Sequence, residues 1–286
     1  LGDVYKRQMV SIGKWNKLTV VKSLDFGVYL DGGDRGEILM PRKYVPENVE
    51  IGSELDAFIY FDSEDRIIAT TQQPLAQVGE FAYLEVKTVT RVGAFLDWGL
   101  PKDLLVPFGE QRGEMKRGNF YLVYVYADPA TGRIVASAKL DKFLDNLYPE
   151  FSPNQEVDVI VAQETDLGFK VIVNNLFWGI LYHNEVFVPL SKGDRKKAYI
   201  KQVREDGKID LMLQPMGYEK IEGMAERVLR TLHNNNGFLA VNDKTSADLI
   251  MSYFGCSKKN FKKAIGALYK AHKILITEDG IRETGR

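Results

Sequence analysis

The chain has 286 residues, enough for two to four small domains and too many for one minimal domain. Apolar residues make up 45% and the net charge is −1, so folded cores are expected, and an argument for nucleic acid must rest on local clusters rather than overall basicity. A single cysteine, Cys256, excludes a disulfide scaffold and a cysteine-rich zinc site, and no apolar run approaches the roughly 18 residues of a membrane-spanning helix.

Leu1 to Gln8 carry Lys6 and Arg7 but no apolar segment, so they do not read as a signal peptide. Met9 reads as the natural start, and residues 1–8 are set aside as extraneous to the fold.

From about Lys14 to Leu213 one pattern occurs three times. Each copy opens with a β-rich strand: Leu18 to Val21, Leu84 to Val89 and Val157 to Val161. A glycine introduces a second strand, with Gly27-Val28-Tyr29-Leu30, Gly93-Ala94-Phe95-Leu96 and Gly168-Phe169-Lys170-Val171. A short apolar third strand follows at Ile38 to Met40, Leu104 to Val106 and Ile180 to Tyr182. A second glycine precedes the fourth strand, and the pairs Gly27/Gly52, Gly93/Gly118 and Gly168/Gly193 are each 25 residues apart. Hairpin turns at Asp62 to Asp65, Asp128 to Gly132 and Arg204 to Gly207 lead into closing strands at Ile67, Ile134 and Ile209. Five strands in about 60 residues outline an OB-type barrel. One large β-sandwich is the plainer alternative, but a sandwich has no reason to repeat the glycine interval. Three barrels with independent cores are expected, over 9–74, 75–150 and 151–215.

At these residues the chain resembles the S-one-type RNA-binding domain, whose second strand reads aromatic-Gly-Ala-Phe-Val. Phe26-Gly27-Val28-Tyr29 and Gly93-Ala94-Phe95-Leu96 carry the likeness, whereas the third copy has Leu167 and Lys170 at the aromatic positions. In Gly179-Ile180-Leu181-Tyr182, Tyr182 takes the place of the family's third-strand histidine, a place read as Met40 and Val106 in the other copies.

From Gly217 the period changes. Ile221, Met224, Ala225, Val228, Leu229 and Leu232 form a helical stripe over 218–233, which Asn234-Asn235-Asn236-Gly237 stops. A short strand at Phe238 to Val241, a helix over 247–254 capped by Thr245 or Ser246, and a Ser257-capped helix through Ala271 come next. A hairpin around Asp279-Gly280 completes a winged-helix order over 216–286. This segment carries twelve Lys or Arg against eight Asp or Glu. Three barrels followed by this module resemble the bacterial conserved virulence factor B family. The resemblance implies RNA binding and regulation of gene expression without a known catalytic activity.

The candidate contacts are aromatic and basic. Phe26, Tyr29, Phe95, Trp178 and Tyr182, with His183 beside them, are read as stacking platforms, against the plainer reading that alternate strand residues are core. Arg195, Lys196, Lys197 and Lys201 in the third copy, and Lys258, Lys259, Lys262 and Lys263 on the last helix, are read as phosphate contacts. A charge run is ordinarily just a solvated face. The two runs are expected to face one another as one positive channel. His183, His233 and His272 lack metal-ligand spacing, Gly32-Gly33 is a plain turn rather than a phosphate loop, and no carboxylate pair suggests a nuclease, so no enzyme and no cofactor are expected. The expected partner is single-stranded RNA, with DNA or ribosome-associated RNA as further candidates, for a cytoplasmic monomer that does not engage a membrane. A DNA-binding transcription factor, a protein-interaction scaffold and a magnesium-dependent nuclease subunit are the alternatives. The last helix offers Asn260 but no arginine for base readout.

Overall fold

The computed structural model of the protein describes residues 9–145, 147–186, 188–215 and 223–284. The set-aside segment 1–8 and the start of the helix read at 218–222 lie outside the described residues. The chain divides after Asp145 into two compact units.

The first barrel consists of β1 (Trp15–Leu24), β2 (Gly27–Asp31), β3 (Glu37–Pro41), β4 (Glu54–Phe61) and β5 (Ile67–Thr70), closed in the order β1-β2-β3-β5-β4. The second has β6 (Phe81–Thr90), β7 (Gly93–Leu96), β8 (Leu104–Pro107), β9 (Phe120–Ala127) and β10 (Ile134–Ser137). The third has β11 (Glu156–Thr165), β12 (Gly168–Val173), β13 (Phe177–Tyr182), β14 (Arg195–Val203) and β15 (Ile209–Met212). Both close with the same pairing as the first, including the parallel contact between third and fifth strands.

The glycine interval has a backbone cause. A Cβ on Gly27, Gly93 or Gly168 would meet the carbonyl oxygen of Met40, Val106 or Leu181 at 2.3, 2.3 and 2.1 Å, so only glycine lets the second strand approach the third. The second glycine is left-handed, with φ of 92° at Gly52, 80° at Gly118 and 93° at Gly193. Its N–H donates at 2.8 Å to Val20, Val86 or Val161. Each of those residues immediately precedes a β-bulge, where Val21, Lys87 or Ala162 is the extra residue. The bulge bends the first strand so that one half pairs with the fourth strand and the other with the second. The loop is thus pinned to the point where the barrel turns its corner.

Register corrects one alignment. Gly27 pairs with Pro41, Gly93 with Pro107 and Gly168 with Tyr182. The counterparts of Tyr182 are therefore Pro41 and Pro107, not Met40 and Val106, which are fully buried like Leu181.

The expectation of independent cores also needs correction. The first barrel has its own interior of Leu18, Val20, Val28, Leu30, Met40, Ile59 and neighbours. The opposite face of β4, with Phe58 and Tyr60, joins the cluster of the second barrel through Trp98 and Ala76. Phe58 and Tyr60 lie 5.9 and 6.5 Å from the Trp98 ring, both edge-on. Burial comes first among the causes that push the Tyr60 hydroxyl up to about 12. β4 is buried on both faces because the apolar run Ala57-Phe58-Ile59-Tyr60-Phe61 serves two cores.

The C-terminal domain has α1 (Met224–Asn234), β16 (Phe238–Leu239), α2 (Ala247–Phe254), α3 (Lys258–Lys270), β17 (Ile274–Ile276) and β18 (Ile281–Glu283), with sheet order β16-β18-β17. Ser246 and Ser257 cap α2 and α3 by accepting from the N–H groups of Leu249 and Asn260, and left-handed Gly255 ends α2. Cys256 is buried among Phe254, Phe261 and Ile265. No helix of the described residues is long and apolar enough to cross a membrane.

Candidate nucleic-acid interface

Strand alternation decides which residues each barrel shows to solvent. In β2, Val28 and Leu30 fill the barrel while Tyr29 is half-buried on the outer face. Phe26, in the β1–β2 turn, is 56% exposed and meets Tyr29 edge-on at 6.3 Å. Lys22 places its ammonium 5.4 Å from the Tyr29 ring. Two aromatic rings and a cation therefore share one outward patch of the first barrel, a combination suited to a stacked base with its phosphate alongside.

In the second barrel Phe95 occupies the Tyr29 position and is half-buried. Exposed Val92 replaces Phe26. Phe108, 52% exposed in the short turn after β8, was not singled out from the sequence. Its signal was its place: it follows the third strand directly, as His183 does in the third barrel.

The third barrel differs. Lys170 lies over the Trp178 ring at 3.7 Å, so these two outward residues cover one another. The Tyr182 hydroxyl donates to Asp210 Oδ1 at 3.3 Å and accepts from the Arg204 guanidinium. Arg204 also bridges to Asp210 at 2.8 Å, and Gln202 donates to its other oxygen at 2.7 Å. Burial alone would raise the Asp210 carboxyl; the hydrogen bonds from Arg204, Gln202 and Tyr182 together with the Arg204 charge hold it below the usual carboxylate range. Ile68 and Val135 stand at the equivalent strand position in the other barrels, so a charged network replaces an apolar contact. His183 is exposed, packs edge-on against Phe169 at 5.2 Å and has Nε2 2.9 Å from the Thr165 carbonyl.

The basic groups also divide. Lys197 bridges to Asp158 at 2.9 Å and Glu156 at 3.5 Å, and the bond to Asp158 raises its pKa. Lys201 is paired with Glu185. Arg195 and Lys196 are exposed. On α3, Lys259, Lys262 and Lys263 are exposed, whereas Lys258 is half-buried and donates to the Lys244 carbonyl at 3.2 Å. Among the described residues no group of three His, Cys, Asp or Glu side chains is placed to hold a metal ion.

Outward aromatics on five-stranded barrels, ahead of a winged helix, define the class: a multidomain protein of OB-type barrels. Residues 12–72 match the family model of the S1 domain, and residues 226–282 match that of the CvfB-like winged helix domain. The chain is 29% identical over 271 residues to uncharacterized protein YitL of Bacillus subtilis, covering 92% of this chain and 90% of that protein. It is 26% identical over 279 residues to conserved virulence factor B of Staphylococcus epidermidis, covering 94% and 93%. Among solved structures it is similar to a multidomain protein with nucleic acid binding domains from Streptococcus pneumoniae, with 25% identity, coverage of 95% and 98%, and a TM-score of 0.41. The resemblance to the conserved virulence factor B family read from the sequence is thereby borne out over nearly the whole chain.

Proposed function

We propose that the protein is a non-catalytic, cytoplasmic, monomeric binder of single-stranded RNA that regulates gene expression by occupancy. The observation that carries this reading is the outward patch of Phe26, Tyr29 and Lys22 on the barrel that matches the S1 domain. Bases stack on such rings with little regard to sequence, at roughly 1–3 kcal/mol per base. The exposed lysines of α3, and Arg195 and Lys196 of the third barrel, supply phosphate contacts, and the channel between these two domains belongs to the same proposal. Ribosome-associated RNA falls within this partner class.

Binding of duplex DNA through the winged helix is the second reading. α3 projects lysines and Asn260 but no arginine, so base-specific readout in a major groove has little to work with. Titration of the full chain with single-stranded RNA, single-stranded DNA and duplex DNA at matched salt separates the readings. Tightest binding to single-stranded RNA is expected; a clear preference for duplex DNA would replace this proposal with the second.

A further inference from the structure

Where the first two barrels meet, the structure holds a cleft of about 370 Å³ that neither barrel makes alone. The end of β4 and the hairpin after it, with Phe61, Ser63 and Asp65, form one wall. The outward face of the second barrel, with Phe95 and Leu105, forms the other. Its volume falls within the range of about 300–1,000 Å³ typical of small-molecule sites.

The rim chemistry narrows the ligand. Asp65 bridges Lys102 at 2.9 Å and Arg133 at 2.5 Å, and Lys102 also donates to the Asp62 carbonyl at 2.7 Å. The Lys102 hydrogen bond comes first among the causes that hold the Asp65 carboxyl below its ordinary value. Asp103 is the other carboxylate of the lining. Two cations and two carboxylates leave the rim formally neutral, so it has no electrostatic preference for a phosphate. It offers both hydrogen-bond donors and acceptors beside a mostly apolar lining. A nucleobase has the same make-up: a flat apolar face with donors and acceptors along its edge.

We infer that this inter-barrel cleft takes one unstacked base of a bound single-stranded RNA, with Phe61 and Phe95 lining it and the Asp65, Lys102 and Arg133 cluster facing the base edge. The inference rests on the RNA-binding reading above and adds a site to it. The β4–β5 hairpin of the first barrel thereby contributes to the binding face of the second. Because the contact is to a base, its loss lowers affinity by the same factor at every salt concentration. Loss of a phosphate contact would instead flatten the salt dependence by about 0.7 unit per phosphate.

The test uses the full chain, fluorescent uridylate and adenylate RNA of about 16 nucleotides, and anisotropy titrations at several salt concentrations. Phe61→Ala removes part of one wall, and Ser63→Phe fills the mouth from an exposed turn without touching a core. Each is expected to weaken binding at least about fivefold with an unchanged salt slope and unchanged thermal unfolding. Should Phe61→Ala unfold, Ser63→Phe decides alone. Wild-type affinity in Ser63→Phe, or a flattened slope, overturns the cleft while leaving the RNA-binding reading standing. If the unsubstituted protein binds neither oligomer, the RNA-binding reading fails and the cleft with it.

Discussion

The first and third barrels share a skeleton and differ in what they show to solvent. Both have the close-approach glycine, the left-handed glycine 25 residues on, and the bulge to which it is pinned. On the outer face the first barrel leaves Phe26 exposed beside Tyr29 and Lys22. The third covers Trp178 with Lys170 and ties Tyr182 into a network around Asp210. Residues that satisfy backbone geometry are held by steric necessity, whereas outward residues are free to differ, exposed in one copy and internally paired in another.

The largest expected effect tests the shared skeleton. Gly27→Ala and Gly168→Ala each force a Cβ against a backbone carbonyl and should cost about 3 kcal/mol in chemical denaturation, alike in both barrels. Tolerance of either change would break the equivalence. Asp210→Ala should destabilise the third barrel by about 2 kcal/mol, a value discounted for the partial exposure of Arg204. The Asp210 carboxyl is held below its unfolded value, so its contribution is complete above about pH 4 and is lost as pH falls through the lower folded value. The stability gap between wild type and variant should therefore close on acidification; a gap constant with pH would show that packing, not charge, is being lost.

Tyr29→Ala and Phe26→Ala should each weaken RNA binding about tenfold with thermal unfolding unchanged, and Phe95→Ala should do so in the second barrel. Loss of binding only through unfolding would make these rings core residues. The smallest effect lies on α3: Lys259→Ala, Lys262→Ala or Lys263→Ala should each flatten the salt slope by about 0.7 unit, with a few-fold loss of affinity for all RNA sequences alike. Lys258→Ala should change it less, because that ammonium is engaged by the Lys244 carbonyl. Slopes unchanged from the unsubstituted protein in all four would mean the RNA backbone does not run along α3.

The glycine interval was legible in the sequence because the first position has no room for a Cβ and the left-handed backbone of the second favours glycine, and Ser246 and Ser257 were legible as helix caps. The bulge was not: its extra residue needs no particular side chain, and Val21, Lys87 and Ala162 have nothing in common. The joining of the first two barrels was missed although Phe58-Ile59-Tyr60-Phe61 carried the signal, since four consecutive apolar residues in a strand imply burial on both faces. The pairing of Tyr182 with Asp210 and Arg204 depends on register across three strands, which spacing along the chain does not encode.

The joint between the first two barrels also bears on how this chain can change length. Residues 72–79 do not hang as a tether: Leu75 N–H donates to Trp98 at 2.7 Å, Val78 to Gly13 at 2.9 Å and Gly79 to Val125 at 2.8 Å, while the Gln77 side chain accepts from the Trp15 N–H at 3.1 Å. Each bond fixes a different residue of the connector, so there is no slack in which an added residue could be stored. An insertion there shifts every later partner out of reach, whereas the exposed hairpin turns at 62–66 and 128–133 already differ by one residue between the barrels. A lengthened hairpin tip is therefore expected to be tolerated where a lengthened connector between the first two barrels is not.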